Sequence, residues 1–177
     1  MKKPHQYTVL GLMSGTSMDG LDCCLCEISL RNDYKFNYNI IDFKTLPFST
    51  SIVNIIQNSL DKNYDEVYLQ HHELGKEFAR LVNQFLNKRK IDFISSHGQT
   101  ISHKDGEFTL QIGHPKYMSE KHKTSVIYDF RQGDILVGGN GAPLVPFLDW
   151  LLFKDDGFDT ITLNIGGISN ISFIPKS

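Results

Sequence analysis

Two apolar, β-rich runs bracket seven turn-forming residues near the N-terminus. Tyr7-Thr8-Val9-Leu10-Gly11-Leu12-Met13 comes first, and Leu21-Asp22-Cys23-Cys24-Leu25-Cys26-Glu27-Ile28-Ser29-Leu30 follows. Between them lies Ser14-Gly15-Thr16-Ser17-Met18-Asp19-Gly20, rich in residues that favour turns. The arrangement predicts a β-hairpin with a long polar loop. A third strand is expected at Tyr38-Asn39-Ile40-Ile41-Asp42-Phe43-Lys44, ended by Pro47.

The period then changes. Ile52, Ile55, Ile56 and Leu60 recur at helical spacing, which predicts a helix over 51–60. Asn63 or Asp65 is expected to cap a longer helix reaching about Lys88, with the stripe Val67, Leu74, Phe78, Leu81, Val82 and Phe85. Lys88-Arg89-Lys90 suits the negative end of that helix dipole and is read as a solvated helix end. Short strands follow, each leading into a polar loop: Ile91–Ser95 into Ser96-His97-Gly98-Gln99-Thr100, and Phe108–Ile112 into Gly113-His114-Pro115. A helix over 116–122 precedes the strand Ser125–Tyr128, and Asp129-Phe130-Arg131-Gln132-Gly133-Asp134 is expected as a loop. Gly138-Gly139-Asn140-Gly141-Ala142-Pro143 reads as a glycine-rich entry to a helix over 145–153, with Pro143 near its first position. The strands Thr160–Asn164 and Ile171–Ile174 flank a second glycine turn. The whole reads as α/β with a mixed sheet and flanking helices. Its polar loops fall at strand ends, where such folds hold ligands.

Composition narrows the function. Eighteen Lys+Arg against 20 Asp+Glu leave a formal charge of −2, which provides no general attraction for nucleic acid or anionic lipid. Forty per cent hydrophobic and 21% charged residues exclude a disordered or collagen-like chain. No apolar run approaches the ~18 residues of a membrane helix, and the run after the basic N-terminus is too short for a signal peptide. The three cysteines, Cys23, Cys24 and Cys26, crowd one strand. Neighbours on a strand point to opposite faces, so they are read as small apolar residues of a reducing compartment rather than a disulfide or metal framework. His71, His72, His103, His114 and His122 show no metal spacing and are read as surface or helix residues.

The loops have their own chemistry. Glycines in Gly15–Gly20 let backbone N–H groups approach an oxyanion, Thr16 and Ser17 add hydroxyl donors, and Asp19 can hold water on Mg²⁺. No Walker A ending follows, and an ordinary polar hairpin loop is the alternative. His97, Gln99 and Thr100 suit recognition of a hydroxylated ligand better than serine–histidine hydrolysis, for which a Gly-x-Ser-x-Gly turn is lacking. Asp129, Arg131 and Asp134 either bind a polar ligand or form a mutual salt bridge. Gly139, Asn140 and Gly141 are expected to offer free backbone N–H groups at a helix start. Gly166-Gly167 either lets a nucleotide approach or makes a tight turn.

Taken together, Met13 to Asp22, Ser96 to Thr100, Asp129-Phe130-Arg131, Gly138 to Pro146 and Leu163 to Asn170 resemble the anhydro-N-acetylmuramic acid kinase family, five motifs in order. The resemblance implies the first lobe of a sugar kinase/Hsp70/actin-type (ribonuclease H-like) two-lobe fold. Residues 1–177 would form that lobe, with the second begun at most near 160–177. It implies a cytoplasmic enzyme of cell-wall recycling. Water opens the ring of 1,6-anhydro-N-acetylmuramic acid while the ATP γ-phosphate passes to the 6-oxygen, giving N-acetylmuramic acid 6-phosphate. ATP and Mg²⁺ are the implied cofactors, and an amino sugar and ATP the partners, without nucleic acid or membrane. A homodimer is compatible with it. By resemblance, Gly15, Thr16, Ser17, Met18, Asp19, Gly20, Leu21 and Asp22 form the nucleotide loop, with Asp19 toward Mg²⁺ through water. His97, Gln99, Thr100, Asp129, Arg131, Gly139, Asn140 and Gly141 form the sugar side. Asn140 stands where the family usually has glutamine, and His114 where it usually has asparagine. The family's water-activating aspartate lies in an Asp-x-Gly-Pro-Gly-Asn segment that the 177 residues lack, so the catalytic base is expected beyond Ser177. The apolar strand 171–174 is expected to leave an open edge.

Overall fold

The computed structural model describes residues 5–30, 36–165 and 169–176. The chain divides into two compact units, Met1–His103 with Thr109–Phe130, and Lys104–Phe108 with Arg131–Ser177.

The first unit is built on a mixed sheet. Strands β1 (His5–Ser14), β2 (Gly20–Leu30) and β3 (Phe36–Pro47) form an antiparallel meander. After two helices the chain returns as β4 (Phe93–Lys104), parallel to β1. Both β5 (Phe108–Ile112) and β6 (Ser125–Ile127) pair with β4, the latter in parallel. Helices α1 (Thr50–Gln57) and α2 (Tyr68–Leu86) supply the crossover that a parallel return requires.

One sheet face holds the core. Leu10 and Leu12 of β1, Leu21, Cys23 and Leu25 of β2, and Ile94 of β4 alternate inward. The helical stripe predicted from the sequence meets them: Val67, Leu74, Phe78, Leu81, Val82 and Phe85 are all buried. Each such side chain contributes about 1.5–3 kcal/mol relative to exposure. Ser49 caps α1, its hydroxyl accepting from the Ile52 N–H at 3.4 Å. Before α2 a single 3₁₀ turn, Asp65–Val67, is closed by Asn63 and Glu66, each side chain accepting from the other's backbone N–H at 3.1 Å.

The basic run after α2 is more than a solvated end. Asn87 turns left-handed at φ 43°, and Arg89 folds back onto the helix. Its guanidinium donates to the carbonyls of Phe85 and Leu86 and reaches Asp42 of β3 at 2.6 Å.

Three of the histidines read as surface or helix residues, His71 and His72 on α2 and His114 beyond it, gather with tilted rings where α2 meets the β5–α3 corner; α3 is Lys116–His122. The His114 ring centroid lies 4.8 Å from that of His71 and 4.6 Å from that of His72. The backbone N–H of Gly113 donates to His71 Nδ1 at 3.2 Å, and that of Lys116 to His114 Nδ1 at 3.2 Å. Both rings must therefore be neutral at Nδ1. His72 shares a hydrogen bond with the Tyr117 hydroxyl, while Lys76 and Glu120 flank the cluster. Burial, then the neighbouring His114 and His72, push His71 down to about 4; burial lowers His114 as well. An unfolded histidine takes its proton near 6.5. Stability is thus complete above pH 6.5 and falls as pH drops from there toward 4. Allowing for partial solvent screening, about 2 kcal/mol is lost. Urea midpoints at pH 7.5 and 4.5 measure it; His71→Gln, whose side-chain carbonyl still accepts from Gly113, flattens the dependence. An unchanged slope in His71→Gln would refute the assignment.

In the second unit, α5 (Val145–Phe153) lies against a hairpin of β7 (Thr160–Ile165) and β8 (Ser169–Ile174). Asp149 of α5 accepts from Thr162 Oγ1 at 2.6 Å and Ser172 Oγ at 3.2 Å, which turns the polar hairpin face toward the helix. The opposite face carries Ile161, Leu163, Ile165, Ile171 and Phe173, all largely exposed. The strand expected to stand open has β7 on one side. Residues 129–134, expected as a loop, mostly enter helix α4 (Phe130–Leu136). Pro146, not Pro143, occupies the first turn of α5. Gly166 and Gly167 lie outside the described residues.

Candidate functional site

In the first unit β1, β4 and β6 run parallel, so their carboxyl ends share one end of the sheet. The loop after β1, the middle of β4 and Asp129 after β6 gather toward that end, the usual ligand position of such sheets.

The β1–β2 loop is held from both sides of its tip. The Met18 N–H donates to the Gly15 carbonyl at 3.2 Å, and the Phe48 N–H to the Asp19 carbonyl at 3.1 Å. Met18 takes a left-handed φ of 54° and packs its side chain against the core. Thr16, Ser17 and Asp19 are left exposed, with Ser17 Oγ donating to Asp19 Oδ1 at 2.6 Å. Hydroxyls and a carboxylate therefore face solvent on a backbone tied at both ends. Gly20 is buried opposite Pro47, Leu21 lies fully in the core, and Asp22 accepts the Thr45 hydroxyl at 2.5 Å. These last three anchor the loop; the surface it presents ends at Asp19.

Ser96 to Thr100 is not a loop at a strand end. It continues β4, with one extra residue set against β1: Leu12 pairs with Ser96, but Ser14 pairs with Gln99. The backbone absorbs the extra residue at Gly98, φ +74°, a conformation that L side chains rarely adopt. The periodicity of strand residues resumes after the bulge, which is why the polar run reads as a loop in sequence.

The bulge sets the direction of its neighbours. His97 is half-buried, with Nδ1 2.9 Å from the Gly98 carbonyl oxygen. Gln99 turns inward, 1% exposed; its side-chain oxygen accepts from Ser14 Oγ at 2.5 Å and its amide donates to the Thr100 carbonyl at 3.2 Å. Thr100 Oγ1 accepts from Gln111 Nε2 at 3.2 Å. Ser14 and Gln111 were not singled out from sequence. Ser14 leaves one signal there, a hydroxyl at the core-facing position after Leu10 and Leu12. A chain of hydrogen bonds thus links the start of the β1–β2 loop to Thr100. Asp129 is exposed and left-handed at φ 60°.

The second unit holds the remaining predicted residues. Arg131 Nη1 donates to the Gly141 carbonyl at 3.0 Å, and Asp134 Oδ2 accepts from the Gly141 N–H at 2.8 Å. The Asp134 carbonyl also accepts from the Gly139 N–H at 2.9 Å. The N–H groups expected to be free at Gly139 and Gly141 are therefore spent on Asp134, because α4 brings both its main-chain carbonyl and its carboxylate under the loop. Asn140 is exposed, and its carbonyl accepts from the Gly106 N–H at 3.1 Å.

An oxygen-rich loop of this kind suits Mg²⁺ carried mostly by water and phosphate. Among the described residues no group of three or more His, Cys, Asp or Glu is arranged to hold a metal by itself. Among them too, no helix is long and apolar enough to cross a membrane.

The family model described as anhydro-N-acetylmuramic acid kinase matches residues 7–177. An anhydro-N-acetylmuramic acid kinase of Francisella tularensis subsp. novicida (strain U112) is 40% identical over 190 residues, covering 98% of this chain and 49% of the relative. One from Clostridioides difficile (strain 630) is 40% identical over 185 residues, covering 97% and 48%. The chain spans about half the length of the curated relatives it matches. Among solved structures, a hexokinase from Schistosoma mansoni complexed with glucose aligns with a TM-score of 0.36 at 11% identity, over 97% of this chain and 37% of that one. A likeness that loose adds nothing to a functional reading.

Proposed function

The chain belongs to the anhydro-N-acetylmuramic acid kinase family, and from that premise we propose that it supplies the phosphate loop and part of the sugar side of an ATP-dependent, cytoplasmic kinase. Its reaction opens 1,6-anhydro-N-acetylmuramic acid with water and phosphorylates the 6-oxygen, in cell-wall recycling. Residues 1–177 form the first lobe of a two-lobe fold, with the second begun at most near 160–177. The observation that carries the reading is the tied loop over Gly15–Asp19, with Thr16, Ser17 and Asp19 exposed and its base bonded through Ser14 to Gln99.

In this reading the Gly15–Asp19 backbone and the Thr16 and Ser17 hydroxyls hold the transferring phosphates, and Asp19 orients water on Mg²⁺. Magnesium bound with ATP neutralises the charge that develops on the phosphates. His97 and Thr100 contact the sugar from β4, and Asp129 from the end of β6. Gln99, buried and committed to Ser14, acts as a positioning residue. Arg131 and Asp134 shape the glycine loop that presents Asn140.

The half-length match favours a second reading for the chain taken alone: 177 residues that bind ligand weakly without turnover. Phosphoryl transfer needs charge stabilisation from both sides of a cleft. Calorimetry of the isolated chain with Mg·ATP and with the anhydro sugar, beside a phosphorylation assay, separates the two. Weak or no heat and no product fit the second reading, and enzyme-like product formation overturns it. Competition among anhydro and ordinary amino sugars in the full-length kinase tests the substrate. Preference for an ordinary sugar would replace it with another sugar kinase of the same fold.

A further inference from the structure

The sulfurs of Cys24 and Cys26 lie 3.4 Å apart on β2. Residues two apart on a strand share a face, so both project from the side of the sheet away from the core, while Cys23 is buried within it. The adjacency of Cys23 and Cys24 in sequence had pointed away from a joint site; the pair that meets is Cys24 with Cys26.

Their neighbours on the adjoining strands are small or exposed. Gly11 of β1 pairs with Cys24, and directly opposed residues share a face. A Cβ at Gly11 would come into ordinary contact with the Cys24 carbonyl oxygen, 3.7 Å away, without clashing. Across the other edge Phe43 pairs with Cys24 and Ile40 with Cys26, and both are more than half exposed. The result is a pair of half-buried thiols on a sheet face where the residue opposite Cys24 carries no side chain and an exposed aromatic ring stands on the other strand.

We propose that Cys24 and Cys26 form a bidentate dithiol site for a trivalent arsenical or a comparable soft, thiophilic centre. Soft thiolate ligands select soft partners. Structural zinc takes about four protein ligands, whereas no set of three metal-ligating side chains converges among the described residues. A monosubstituted arsenical brings its own third substituent and needs only two sulfurs. The exchange balances without redox change. An arsenoxide, R–As=O, forms two As–S bonds, loses its oxygen, and releases one water that carries away both thiol protons; arsenic stays trivalent. Burial and the Cys24 contact push Cys26 up to about 11, so Cys26 stays protonated near neutrality and reacts slowly with alkylating agents that need thiolate. The site is independent of the kinase reading.

Phenylarsine oxide at one equivalent, added to the folded 177-residue chain, tests it by intact-mass spectrometry with a thiol count. The expected result is one phenylarsenic adduct with loss of one water, two thiols consumed, and an unchanged circular dichroism spectrum. Cys24→Ser and Cys26→Ser each weaken binding by roughly 100-fold, the loss of a chelate partner, and Cys23→Ser leaves it unchanged. Absence of an adduct on the folded chain overturns the proposal. So does an adduct that survives Cys24→Ser, or one that forms only with loss of the folded spectrum.

Discussion

Asp19→Ala in the full-length kinase is expected to lower Mg·ATP-dependent phosphorylation of the anhydro sugar by at least about 100-fold, the usual cost of removing a group that stabilises developing charge. The fold should not suffer. The Asp19 side chain is exposed, and its structural contribution is a backbone carbonyl that accepts from Phe48, which alanine keeps. Asp19→Asn separates two contributions. Asparagine can still accept the Ser17 hydroxyl now 2.6 Å from Oδ1, so the loop stays positioned, but the charge is gone. If Asp19 acts through charge toward Mg²⁺, both variants fail alike and keep their affinity for the sugar. Recovery in Asp19→Asn alone would mean that loop positioning is the whole effect. Full turnover by Asp19→Ala would remove Asp19 from the site.

The second large effect reverses a general rule. Replacing a mid-helix glycine by alanine normally stabilises by about 1 kcal/mol. Gly75 sits inside α2, yet Gly75→Ala is expected to destabilise the first unit by roughly 2–4 kcal/mol. A methyl group there would lie 2.5 Å from the His114 carbonyl oxygen and 2.7 Å from its nitrogen. These are backbone atoms, and that backbone is bonded to the helix through the His71 carbonyl, which accepts from the His114 N–H at 2.9 Å. Relief requires α2 and the β5–α3 corner to part, exposing Leu74, Phe78 and Met118, all fully buried. At ~4 °C per kcal/mol for a domain of this size, the melting temperature falls by about 10 °C. A neutral or stabilising Gly75→Ala would show that the corner yields freely. Gly75→Ser should be at least as damaging.

The legible and illegible parts of the chain differ by range. The helices 50–57 and 68–86 are readable because their apolar stripes are patterns within a few residues, whereas Asn63, expected to cap the longer helix, instead bonds with Glu66 around the 3₁₀ turn before it. The β1–β2 hairpin was readable for the same reason, and its loop carried its chemistry in consecutive residues. Ser96 to Thr100 was misread as a strand-end loop because a bulge looks like a loop in composition. Only the change of register against β1 shows that the strand continues. Asp134 was read as one member of a charged loop. Its work on Gly139 and Gly141 depends on a short helix that no strong periodicity announced.

From sequence alone, then, came the fold class, the family and the order of the polar loops, since each rests on local pattern or on motifs in line. Tertiary structure decided which polar side chains face outward and which are spent on holding others. Gln99 and Ser14 are 85 residues apart, and their bond takes Gln99 out of solvent. Cys24 of the Cys24–Cys26 pair lies opposite Gly11 of another strand, and three histidines from α2 and the β5–α3 corner gather into one acid-sensitive joint. Those contacts follow from strand register and helix docking, which minimise free energy over the whole chain and so leave no mark in any short stretch of it.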